Sequence, residues 1–425
     1  MARPRRRLIT AAGLIGLIGA AALAAPPPSA IERFGQIRAQ LARDESRSDH
    51  GAYLADAIRL SAFLNGSPTS VLEMARANLA LGRRAEALAQ TRRFLAMGQT
   101  HPILASTAFA EIAPALAPLI ARNQAPILRA GVAWRLSDAG LVAEDIDFDP
   151  RSRRFFVTSI LEHKIVALSE DGAQHDVAAS PDGWPMVALK LDVARRRLWA
   201  TEVAFDGFVG VDAKDRGRAA VLEYDIDTGA LLHRLDAPAG AAIGDMALAR
   251  DGDPILSDGE RGAVYRLHGE VFHRIDHGDF ISPQTPAVCS NGRRLFVPDY
   301  VRGLAALDLR TGRVSWISAN GHYALNGVDG LYCRRGVLWA TQNGASPPRV
   351  VAFRLNAEET AIVDERIIAR ATPGFDDPTH GVLVGVFFYF IANSGWDSLD
   401  DHGAVKPSTP LTSAVIMRAP TMGAL

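Results

Sequence analysis

Six positions in the second two-thirds of the chain carry the residues best suited to chemistry: Glu144, Met186 or Val187, Asp245, Gln284, Asp329 and His380. Three are acids, one is an amide and one an imidazole, and they stand about 13 to 15 residues before the last residue of a recurring apolar string. Oxygen donors of this kind, gathered at one point, hold a hard divalent cation; Ca²⁺ suits them best, with Mg²⁺ and Mn²⁺ as variants. A histidine among them can act as a general base near neutral pH. Buried acids are costly unless paired, wet or bound to a cation, so a solvated polar pore stands beside the metal reading. For His380, in Pro378-Thr379-His380-Gly381, a ring hydrogen-bonded to backbone is preferred over the catalytic role.

Residues so far apart meet only if the chain carries them round a common axis. The strings that follow them are Phe155-Phe156-Val157-Thr158-Ser159, Leu198-Trp199-Ala200-Thr201-Glu202 and Pro254-Ile255-Leu256-Ser257-Asp258. Leu295-Phe296-Val297-Pro298-Asp299, Leu338-Trp339-Ala340-Thr341-Gln342 and Tyr389-Phe390-Ile391-Ala392-Asn393 complete the set, and successive last residues are 43, 56, 41, 43 and 51 apart. A period of roughly 40 to 50 residues with four strands per unit is the signature of propeller blades, whose first strands line a central channel. The sixth unit supplies only three strands, the third from Ala414 to Arg418. Gly131-Val132-Ala133-Trp134-Arg135-Leu136, ahead of the first unit, fills its open edge. The prediction is a mainly β fold with a small α domain, a six-bladed β-propeller closed by pairing 131–137 with 413–419.

Three segments follow: a signal peptide over 1–24, a helical domain over 29–125 and the propeller over 126–425. Arg3, Arg5, Arg6 and Arg7 precede an apolar stretch from Leu8 to Ala21, and Ala22-Leu23-Ala24 is a small-x-small cleavage site. Arg5-Arg6-Arg7-Leu8-Ile9 resembles a twin-arginine signal. A periplasmic or secreted protein without a stable membrane anchor is expected. Helical periodicity places helices at 31–43, 50–63, 72–81, 85–97 and 105–122, with Gly98 closing the fourth. The string from Ala75 to Leu88 resembles a tetratricopeptide turn. One such unit makes no extended groove, so packing against the ring is preferred over capture of a protein partner.

With 46 basic and 47 acidic side chains and a net charge of −1, nothing draws the chain to nucleic acid. Arg195-Arg196-Arg197 reads as a solvated turn. Cys289 and Cys333 are too few for a disulfide framework; a bond between them fits an oxidising compartment, but two buried free thiols are preferred. Asn343, Asn393, Glu202 and Asp258 close second strands and cap turns at one mouth. Trp199, Trp339 and Phe296 repeat at one blade position as inter-blade core, whereas Trp184 and Trp396 break that register and one of them faces the mouth.

From about residue 140 to 400 the chain resembles the regucalcin/gluconolactonase family of six-bladed propellers, with a wider likeness to NHL-type repeats. The resemblance implies one divalent cation held by a first-blade acid, a fourth-blade Asn and a later Asp, and a lactone hydrolysed through its polarised carbonyl. Carried onto this chain, the acid is Glu144 in Ala143-Glu144-Asp145-Ile146, and the Asp is Asp329 in Gly327-Val328-Asp329-Gly330-Leu331. The Asn position falls on Gln284 in Ser282-Pro283-Gln284-Thr285-Pro286, one methylene longer than the family's residue. Asp245 takes a polar substrate-side place, with His380 as its partner for water or substrate. The implied ligand is a small molecule in the channel. The Gln substitution and the added helices support the other class, a non-catalytic binding module.

Overall fold

The computed structural model describes residues 27–289 and 292–421, so the signal peptide expected over 1–24 lies outside the described residues. Six antiparallel sheets follow one another from residue 143 onward. Their first strands are Ala143–Asp149, Met186–Asp192, Ile243–Leu248, Ala287–Val288, Leu331–Arg334 and Gly381–Val384. Each touches the next, and the sixth touches the first, which closes a six-bladed ring. The closing strand is the expected one. Gly131 pairs with Arg418 and Arg135 with Val415, so Gly131–Arg135 is the outer strand of the sixth blade. Just before it, Ile127–Leu128 pairs with Ala369 and Arg370 and adds a fifth strand to the fifth blade.

Apolar clusters lie between successive blades rather than in one central core. Phe296 and Leu304 of the fourth blade meet Leu338 and Phe353 of the fifth, and Trp339 of the fifth meets Phe388 of the sixth. A polar device repeats beside them. Four second strands carry a hydroxyl near their ends, and three of these hydroxyls reach the start of the next blade while the fourth bonds the start of its own. Thr158 donates to the Val187 carbonyl at 2.7 Å and Ser257 to the Gln284 carbonyl at 2.9 Å, while Thr341 reaches the Thr379 carbonyl. The Ala188 amide donates to Thr201 at 2.9 Å. The Thr or Ser of these four strings thus helps fix how neighbouring first strands face one another, while the fourth and sixth strings carry Pro298 and Ala392 there.

Ahead of the ring stand α1 (Ala30–Ser46), α2 (His50–Phe63), α3 (Pro68–Ala80), α4 (Arg84–Ala96) and α5 (Ala117–Gln124). A Ser29–Glu32 capping box starts α1. The helix expected over 105–122 is instead three short 3₁₀ turns followed by α5. Pro102, Pro114 and Pro118 account for it, because a proline in a helix interior removes an amide donor and clashes with the preceding turn. The string from Ala75 to Leu88 forms the α3–α4 hairpin, and α2, itself paired with α1, packs against α3.

The helices share one apolar cluster with Ile281 and Ala324 of the ring. Arg349, with no exposed surface, donates to Gln342 at 2.7 Å and reaches Glu365 at 3.0 Å and the Met97 carbonyl at 3.4 Å. Arg302 lies between the Phe63 and Trp316 rings. The preferred reading of the cysteines as free thiols is overturned: Cys289 and Cys333 are bonded, with Cα atoms 5.3 Å apart. They follow the first-strand starts of adjacent blades, and the ring brings those starts side by side.

Candidate metal centre

Glu144, Asp329 and His380 meet on the ring axis, each buried, with one potential ligand atom apiece all within 4.8 Å of one another. A β-bulge makes this possible in the first blade. The pairing register slips between Ala143 and Ile146, so two consecutive acids serve different partners. Glu144 faces the axis. Asp145 bonds Lys190 Nζ at 2.6 Å and the Leu189 amide at 2.8 Å in the second blade. Strict alternation would put one of two adjacent acids in the apolar layer, so the Glu-Asp pair is itself a sequence signal of the bulge.

Each of the two carboxylates has one oxygen held by an N–H donor from the upper loops. The Trp396 indole donates to Glu144 Oε2 at 2.5 Å. The Asn343 amide donates to Asp329 Oδ2 at 2.8 Å, and the Tyr300 hydroxyl fixes that amide by donating to its oxygen at 3.0 Å. Asn343 therefore does more than end a strand, and Trp396 is the mouth-facing tryptophan. Trp184 is buried in the same apolar cluster, with Arg218 and Arg234 over its ring.

His380 has both ring nitrogens engaged. Nδ1 donates to the Glu144 carbonyl at 2.9 Å, the backbone bond preferred from sequence. Nε2 lies 3.1 Å from Asp245 Oδ1 and 2.6 Å from Thr285 Oγ1, and Thr285 also donates to Asp245. Asp245 is thus joined to the group through His380. Gln284 is not: its amide nitrogen bonds Ser282 Oγ at 3.1 Å, and no hydrogen bond joins it to Glu144, Asp329 or His380 among the described residues. The fourth blade reaches His380 and Asp245 through Thr285, the next residue along. A shift of one position exchanges the two faces of an extended segment, and here the sequence register was off by one.

Burial pushes Glu144 well above the usual carboxylate range and Asp329 up to about 7. Burial alone would lower His380; the surrounding Asp145, Asp245, Asp329 and Glu144 carboxylates outweigh it and push the imidazole up to about 10. Acids outnumber cations at the axis, which is the charge pattern a bound cation relieves. Two carboxylates, each with its outer oxygen already held, therefore suit a divalent ion, whereas His380, its Nδ1–H committed to a carbonyl, would ligate through Nε2 only by giving up its contacts with Asp245 and Thr285. Asp377, bonded to Ser394, is a further acid close enough to raise Glu144 and Asp329.

Fold and site together define a six-bladed β-propeller with an acid- and histidine-lined centre. No protein-family model and no curated protein matches the chain. Solved structures do resemble it. A PQQ-bound aldose sugar dehydrogenase from Streptomyces coelicolor is 15% identical, with a TM-score of 0.48, over 69% of this chain and 99% of that one. A gluconolactonase from Xanthomonas campestris is 17% identical, TM-score 0.45, over 69% and 94%. Virginiamycin B lyase from Staphylococcus aureus is 11% identical, TM-score 0.48, over 67% and 97%. These likenesses concern the fold and carry nothing about the chemistry.

Proposed function

We propose that this is an exported hydrolase of the lactonase type that uses one divalent cation at the ring centre. The convergence of Glu144, Asp329 and His380 from the first, fifth and sixth blades carries this reading. When bound, such a cation polarises a carbonyl and makes water a better nucleophile. The imidazole in the donor set moves the preference from Ca²⁺ toward Mn²⁺. Trp396 and Asn343 orient the two carboxylates. Asp245 and Thr285 flank His380 Nε2 and hold the imidazole in place, and the Asp245 carboxylate is the group there that can take a proton from water and return it to the leaving oxygen. The leader pattern and the Cys289–Cys333 bond support export to an oxidising compartment. A second reading is a non-catalytic ring in which His380 locks the blades together; its bonds to Glu144, Asp245 and Thr285 favour that.

Metal analysis of purified protein separates the two. The hydrolase reading expects about one divalent ion per chain, its loss in Asp329→Ala, and metal-dependent opening of glucono-1,5-lactone. A chain that takes up no divalent ion leaves only the lock.

A further inference from the structure

The upper face of the ring is closed differently on its two sides. Over the first, second and sixth blades, the loops 204–218 and 394–414 meet. Phe205 and Phe208 pack edge-on against Trp396 with centroids 6.2 Å away, and the Val209 amide donates to the His402 carbonyl. Ring packing and a backbone bond tie those two loops together. Over the fourth and fifth blades, the helical domain leaves a hollow. Two adjoining cavities of about 350 and 190 Å³ share Thr69 and Glu73 of the α3 helix with Asn326 and Gly344 of the ring. Tyr300 lines the larger one, and its hydroxyl leads through Asn343 to Asp329, two hydrogen bonds away.

The chemistry of the hollow is specific. Its charges are paired: Arg76 reaches Glu73 at 2.8 Å and Glu45 at 2.7 Å, and Arg38 reaches Glu73 at 3.4 Å. Asn326 lines both cavities, and its Oδ1, shielded from solvent behind that lining, has no hydrogen-bond partner among the described residues. Phe34 and Tyr300 present rings. Paired charge disfavours an ionic ligand, a mixture of donors and acceptors suits hydroxyl groups, and rings suit the C–H faces of a sugar. Domain interfaces are also where small-molecule sites concentrate.

We propose that this hollow is a distal subsite, continuous in function with the ring centre, that takes an uncharged hydroxyl-rich body such as a sugar ring. The helical domain is then part of the ligand site. The proposal rests on the reading of the centre as a lactone site only for what lies at the ligand's other end.

The test compares gluconate with lactobionate, the same acid carrying a sugar ring, by calorimetry on the metal-loaded full chain. Wild type is expected to bind lactobionate at least tenfold more tightly. Thr69→Trp, at an exposed position in the first turn of α3, should fill the hollow and erase that preference while leaving gluconate binding and Tb³⁺ uptake unchanged. Asn326→Ala should reduce the preference with no bulk added. If wild type shows no preference for lactobionate, or Thr69→Trp retains it, the subsite is refuted. If metal and gluconate fail to bind but lactose still does, and Thr69→Trp abolishes that, the subsite stands and the lactone reading falls.

Discussion

The aromatic side and the helical side of the upper face reach the same pair of acids by different routes. On the aromatic side, one side chain does both jobs: Trp396 packs against Phe205 and Phe208 and bonds Glu144 directly. On the helical side the jobs are divided. Arg349 fastens helices to ring, while Tyr300 and Asn343 relay to Asp329. The aromatic side packs its loops against each other, and the divided side leaves a hollow. Where one residue both packs and positions, its loss costs stability and geometry together; where the roles are split, each can be removed alone.

That contrast can be broken most severely at Arg349. Arg349→Met leaves Glu365 buried without its cation and frees the Met97 carbonyl, so unfolding free energy should fall by about 3–5 kcal/mol in a urea titration. A loss under about 1 kcal/mol would show that the helical domain is held mainly by its apolar contacts. Next come the two N–H donors. Trp396→Phe keeps the ring packing but removes the donor, and Asn343→Ala removes the other. Each should weaken Mn²⁺ binding by roughly 10- to 100-fold, measured by calorimetry, with little change in melting temperature. A large effect from one variant and none from the other would mean that only one carboxylate is a ligand.

The smallest effect is expected below the aromatic side, where Arg196 forks onto Asp149 with two bonds of 2.9 Å and rivets the second blade to the first. Burial alone would raise the Asp149 carboxyl, but Arg196, Ser152 and the Arg151 and Ser152 amides hold it well below the usual range. A depressed carboxylate stabilises the fold fully above its unfolded value of about 4, and that contribution is lost as pH falls toward the folded value. Asp149→Asn should therefore cost about 1–2 kcal/mol at pH 7 and little at pH 2, read from denaturation at the two pH values. An equal cost at both would assign the effect to packing instead. The expected solvated turn at Arg195-Arg196-Arg197 is thus half right, since Arg195 is exposed while Arg196 is half-buried and paired with Asp149.

Much of the fold was legible because the blade unit repeats its own chemistry. The strings ending in Thr158-Ser159, Thr201-Glu202 and Thr341-Gln342 mark second strands, and Trp134 in a run with no partner marked the closing strand. Glu144, Asp329 and His380 were legible as equivalent positions in three of those units. Thr285 was hidden because the fourth blade's first strand is only Ala287–Val288, too short for alternation to fix which neighbour faces inward. The roles of Trp396 and Asn343 were hidden too, since each acts on a residue of a distant segment.

Local sequence determined the number of blades, the strand that closes them and the set of polar residues available to the axis, because periodicity and turn chemistry act over a few residues. Tertiary structure decided which of those residues meet, whether the cysteines join, and which side of the mouth stays hollow. Those outcomes depend on ring closure and on a helical domain docking from outside the repeat, and neither leaves a local mark in the chain.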